Sequence, residues 1–136
     1  MMSKTALWNV WVVNRMKPLT NASTLLDRID HAIDGMIRSV TIQSPSVITI
    51  TLSVQDKGRE YDWINIAFEV SGIMDVQLVD ESKLSFLDIS EGISIIMDGH
   101  QAGIGIGRSS NINNLKDLPL YLLGDSIKYE ELNFSE

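Results

Sequence analysis

The chain has two imidazole groups for proton transfer, His31 and His100, and no cysteine. Thiol nucleophiles, disulfides, cysteine-bound zinc and iron–sulfur clusters are therefore excluded. His31 follows Asp27 by four residues and Asp34 follows Asp30 by four, spacings that make each pair neighbours on a helix. Metal binding or acid–base chemistry could arise there. A solvated polar helix face explains the same residues with less, and is the reading adopted. His100 falls in an expected turn, where a general base is not held tightly. Ser109 and Ser110 lack the G-x-S-x-G elbow that activates a serine. In Asp80-Glu81 and Glu130-Glu131 the carboxylates are adjacent in sequence, so on a strand they point to opposite faces instead of converging. The chain reads as a non-enzyme, with no catalytic residue, cofactor or metal site expected.

Residues 103–107, Gly-Ile-Gly-Ile-Gly, superficially resemble a phosphate loop. A dinucleotide fingerprint requires G-x-G-x-x-G between strand and helix, but residue 108 is arginine and no capped amphipathic helix follows. The period of two instead predicts a strand that buries its isoleucines on one face. Its other face, flattened by glycine, admits a ring or helix backbone at close range, and would receive a partner or ligand if left open.

Two hydrophobic periods organise the rest. Leu25, Leu26, Ile29, Ala32, Ile33, Met36 and Ile37 repeat with the 3.6-residue helical period and predict one main helix over about residues 21–37. Asn21 or Ser23 would cap it, and Gly35 lies near its end. Ile48, Ile50, Leu52 and Val54, then Ile64, Ile66, Phe68 and Val70, alternate with period two as half-buried strands do. Residues 73–79, 93–97 and 103–107 continue this pattern. Asp98-Gly99-His100-Gln101 is the strongest hairpin signal. Strands joined by such short turns pair antiparallel, because a parallel crossover needs a dozen or more residues. Residues 7–13 fit either period and are read as a strand. Pro119 argues against an unbroken helix across residues 115–123. The expected architecture is a single α+β domain over residues 1–136, with an antiparallel sheet of about six strands packed against one helix.

Charge bears on partners. The net charge is −7, and it is uneven: residues 1–68 carry seven Lys/Arg and six Asp/Glu, residues 69–136 four and twelve. Nucleic acids and anionic membranes are poor partners for such a chain, because both are held by clustered lysine and arginine. Solubility alone accounts for an acidic surface; a negative face that attracts a basic protein is the sharper reading. Asp75, Asp80, Glu81, Asp88 and Glu91 are its candidate contacts. Trp8, Trp11 and Trp63 are candidate aromatic anchors, with core packing as their alternative. No apolar run reaches the roughly 20 residues of a membrane span, and residues 6–13 lack the clean apolar core and cleavage site of a signal peptide. A cytoplasmic location is expected.

A tryptophan segment holding Trp8 and Trp11, one helix, and strand runs at residues 40–54, 63–70, 73–78 and 93–106 follow one another. In this order of elements the chain resembles a group of small, acidic, mostly uncharacterised bacterial proteins, some of them similar to immunity proteins that neutralise polymorphic toxins. The resemblance implies a cytoplasmic binding protein that masks a toxin surface, and the acidic second half suits a basic target. Two other functions remain open: a homodimer formed through a sheet edge, and a small-ligand pocket near His100 and the glycine strand.

Overall fold

The computed structural model describes residues 16–133, and in it the period-two pattern dominates the architecture. The elements run β1 (Lys17–Pro18), α1 (Ala22–Arg28), β2 (Met36–Ser44), β3 (Val47–Asp56), β4 (Asp62–Ser71), β5 (Asp75–Gln77), β6 (Ile93–Asp98), β7 (Gln101–Ile106), α2 (Ile112–Leu115), β8 (Tyr121–Gly124) and β9 (Ser126–Asn133). They form a five-stranded sheet, ordered β1-β9-β4-β3-β2, and a four-stranded sheet, ordered β5-β8-β7-β6. All the pairings are antiparallel.

Register explains the core. Ile48 pairs with Val70, Ile50 with Phe68, Leu52 with Ile66 and Val54 with Ile64, so both central strands turn their apolar residues to the same side. Opposite them in the same buried cluster stand Ile93, Ile95, Ile104, Ile106 and Leu122 of the second sheet. Each such side chain removed from water contributes about 1.5–3 kcal/mol. The chain changes sheets at two adjoining corners. There Asp125 N donates to Ser71 O (2.9 Å) and Met74 N to Leu123 O (2.8 Å). Among the described residues no helix is long and apolar enough to cross a membrane.

The α+β expectation is thus corrected to a mostly β fold with two sheets, and the helix over residues 21–37 to one of seven residues. Asn21 does cap α1, its Oδ1 accepting from Thr24 N at 3.1 Å. Leu25, Leu26 and Ile29 then enter the core as the stripe requires. Beyond Arg28, Ile29 and Ala32 stay buried but the helix does not continue. Asp30, His31 and Ala32 take φ between +54 and +58, a left-handed turn, and Asp34 follows at +59. Met36 and Ile37 already belong to β2, where they pair with Ser53 and Leu52. A long antiparallel ladder on β3 outweighs the weak helical preference of this β-branched segment.

The hairpin at residues 98–101 forms as its sequence indicates. Gly99 adopts φ +58 and joins β6 to β7 through a two-residue loop. β8 and β9 escape a sequence reading. β8 is only four residues long, and β9 places charged Glu131 on the inward side, opposite Ile66.

Ile104 and Ile106 of β7 face the first sheet, and the glycine side is not open. α2 lies over it in a second small core of Ile112, Leu115, Tyr121 and Leu123, with Ile96 and Leu118 packed alongside. The close approach anticipated for this face is made by leucine side chains: a Cβ on Gly103 would stand 2.3 Å from Leu115 Cδ2, and one on Gly105 2.7 Å from Leu118 Cδ1. Gly103→Ala should therefore lower the unfolding free energy by about 1–3 kcal/mol through overpacking, read from urea denaturation. A change below about 0.5 kcal/mol would show that Leu115 has somewhere else to go.

Candidate protein-binding surface

The connection from β5 to β6, residues 78–92, lies against the outer strand β2. Its middle is a 3-10 turn, Glu81–Phe86. Leu84 is buried, and Leu78, Val79, Leu87 and Ile89 are half-buried against the main core. These side chains fasten the connection without filling the seam it makes with β2. Two crevices flank Leu84. One, of about 220 Å³, is lined by Val40, Ile42, Leu78 and Val79; the other, of about 160 Å³, by Met36, Ile37, Leu87 and Ile89.

Large apolar side chains along this seam face water. Phe86 is 83% exposed and Ile42 61%, and Met36 is exposed as well. A lone exposed leucine or methionine requires no explanation, but an aromatic ring left almost wholly in solvent on a connection that lines two apolar crevices does. β2 is also an outer strand, and its ladder to β3 is irregular between Ile37 and Ser39 and again between Ile42 and Ser44. Such irregularities blunt an edge against indiscriminate strand pairing.

Of the five candidate carboxylates, the 78–92 connection carries four. Asp80 just before the 3-10 turn, Glu81 at its start and Asp88 after it are exposed, with Lys83 the one base of the stretch. Asp88 Oδ1 accepts from Ser90 N at 2.9 Å. The Ser90 backbone N–H and then its hydroxyl hold the Asp88 carboxyl below its ordinary range. Glu91 faces away from this group into a separate cleft beside His31. Asp75 is engaged within the fold: its Oδ2 accepts from the Tyr121 hydroxyl at 2.8 Å and stands 4.0 Å from Lys116 Nζ. That hydrogen bond, together with burial and the negative charge, raises the Tyr121 phenol above its ordinary value of 10.0. A raised value contributes stability that is complete below pH 10 and is lost as pH climbs through the raised value.

Among the aromatics, Trp8 and Trp11 lie outside the described residues, as does the strand expected at residues 7–13. Trp63 pairs with Gln55 on the face of the first sheet opposite Ile64 and does not line the seam. His31 and His100 are not brought together, since His100 occupies the exposed β6–β7 turn. The helical neighbours Asp27 and His31 are separated by the end of α1; Asp27 and Asp30 instead flank Lys57, at 3.9 and 4.0 Å. Phe86, Ile42 and Met36 were not among the expected contacts. Phe86 stands between Leu84 and Leu87 in a stretch otherwise of charged and hydroxyl residues, and nothing in that local sequence marks it as the exposed one.

No protein-family model, curated protein or solved structure matches this chain.

Proposed function

We propose that this protein is a non-catalytic, cytoplasmic binding module that docks on a basic surface of another protein through the seam between β2 and residues 78–92. Phe86 is the anchor, Met36 and Ile42 extend the apolar contact, and Asp80, Glu81 and Asp88 steer and orient the partner. The observation that carries this reading is Phe86, 83% exposed on a connection bearing four carboxylates and one lysine. Aromatic side chains seated in a partner's pocket dominate binding energy, while surrounding charges set association rate and specificity. Masking a basic toxin or effector, as an immunity protein does, is the function this chemistry suits.

The test is affinity capture from lysate of the native source at low and high salt, read by mass spectrometry. The wild type is compared with Phe86→Ser and with the triple variant Asp80→Asn, Glu81→Gln, Asp88→Asn. A basic partner should be retained by the wild type. Phe86→Ser should lose about 2 kcal/mol or more of binding, roughly 30-fold in affinity. The triple variant should bind more weakly and lose most of the salt dependence. Recovery of further copies of this chain alone would favour a homodimer across the β2 edge, and equal retention by all three proteins would remove the seam from consideration.

A further inference from the structure

A cleft of about 490 Å³ opens where the left-handed turn at residues 30–32 meets the end of the β6–β7 ladder, away from the seam. The last ladder pair is Ile93 with Ile106, and beyond it Gly107 N donates to Gly92 O at 2.8 Å. Glu91 and Arg108 then leave on facing chains and both line the cleft. Despite opposite charge they make no ion pair with each other, and neither makes one with any other described residue.

The walls that present these two charges are held firmly. Ser94 Oγ donates to Gly107 O at 2.7 Å and accepts from Ser109 N at 2.8 Å, tying the chain on either side of Arg108 to β6. On the other wall Gly92 passes so close to the left-handed turn that a Cβ there would stand 2.1 Å from His31 O. Ile33 and Ile93 supply an apolar part of the lining, and His31, Ser110 and Asn114 add to its polar part. A volume of several hundred Å³ with an apolar part and convergent polar groups suits a small molecule.

Its charge pattern narrows the ligand class. A simple anion would gain Arg108 and be repelled by Glu91; a simple cation would meet the reverse. A molecule carrying a carboxylate and an ammonium a few bonds apart engages both, and an attached apolar group can cover Ile33. We propose that this cleft binds a small zwitterion of the α-amino-acid class, its carboxylate held by Arg108 and its ammonium by Glu91. The site needs no protein partner, so it stands or falls apart from the seam.

The experiment is thermal unfolding of the full chain in the presence of each standard α-amino acid, followed by calorimetric titration of any that stabilise it. For each, the matching carboxylic acid lacking the amine and the matching amine lacking the carboxylate are run alongside. At least one amino acid should raise Tm by several degrees, with both truncated counterparts binding tenfold or more weakly. Arg108→Gln and Glu91→Gln should each reduce that affinity tenfold or more while leaving the ligand-free Tm unchanged, because both side chains are exposed. No stabilisation by any amino acid would overturn the proposal. Equal binding of either truncated counterpart, or undiminished binding by either variant, would overturn it too.

Discussion

Asp56→Ala is expected to lower the unfolding free energy by about 3 kcal/mol, the lower end of what breaking a buried ion pair costs. Asp56 ends β3 with a side chain only 3% exposed. Its Oδ1 lies 3.2 Å from Arg28 Nε and accepts from Gly58 N at 2.8 Å; its Oδ2 lies 3.5 Å from Arg59 Nε. Arg28 Nη2 in turn stands 2.6 Å from Glu131 Oε1. The last turn of α1, the β3–β4 turn and β9 are thereby joined through two carboxylates, Asp56 and Glu131. Arg28 Nε and Nη2 are withdrawn from water and held by charge, without hydrogen-bond alignment, so the nearby carboxylates are what compensate their burial. Removing Asp56 leaves that cation with Glu131 alone. The lower figure is chosen because the Arg28 side chain keeps 35% of its exposure and water can reach part of it. Asp56→Asn, which keeps an acceptor for Gly58 but not the charge, should fall between wild type and alanine. Urea unfolding decides the matter: a loss below about 1 kcal/mol for Asp56→Ala would show that the network stabilises the fold no more than a surface pair does.

Gly92→Val should be at least as damaging, about 3 kcal/mol or more, combining left-handed backbone strain with overpacking. Gly92 sits at φ +77, where a β-branched residue is a steric outlier. Its missing side chain also makes room for a neighbouring backbone, because a Cβ would lie 2.1 Å from the His31 carbonyl oxygen and 3.0 Å from its carbon. No rotamer change relieves a collision between a Cβ, whose position the backbone fixes, and a main-chain carbonyl. His31 cannot easily retreat, since it belongs to a turn that already holds three successive residues at positive φ. Gly92→Ala meets the same collision without the branched side chain, so it should destabilise less than valine yet well beyond an ordinary surface change. If Gly92→Ala unfolded within about 0.5 kcal/mol of wild type, the close packing of residues 30–32 on residue 92 would be contradicted.

The strands of the first sheet were legible because each half of the β3–β4 hairpin keeps a strict alternation over four apolar positions. The Asp98–Gln101 hairpin was legible for a local reason, a glycine free to take positive φ in a two-residue loop. The helix was over-extended because burial and helical period agree through Ala32 while the backbone does not. Residues 30–32 keep Ala32 in the core by turning left-handed, a conformation with no signature in a string of Asp, His and Ala. Ile37 then illustrates the other ambiguity, since one isoleucine fits the end of a helical stripe and the inner face of β2 equally well. In the glycine strand, spacing showed which face is flat but not that Leu115 and Leu118 cover it; that depends on where the chain goes between Gly107 and Pro119.

The candidate surface was partly legible for a similar reason. Four of the five selected carboxylates fall on residues 78–92, because acidic residues crowd connections that cannot bury them. Their division was not visible: Asp75 turns to Tyr121 and Lys116, and Glu91 turns into the cleft. Phe86 was missed because exposure is a property of the packed molecule. Nothing in the local sequence distinguishes it from Leu84, two residues earlier and buried in the core.

The central claim is that the β2 seam, with Phe86 exposed on the connection that forms it, is where a basic protein docks. Its most direct test replaces Phe86 by a photo-crosslinking phenylalanine analogue and irradiates the full-length protein in its native cells, with the same analogue at Thr41 on the opposite face of β2 as control. A covalent adduct from position 86 to one basic protein, absent from position 41 and suppressed by high salt in lysate, is the expected result. Adducts only between copies of this chain, or the same proteins captured from both positions, would contradict it.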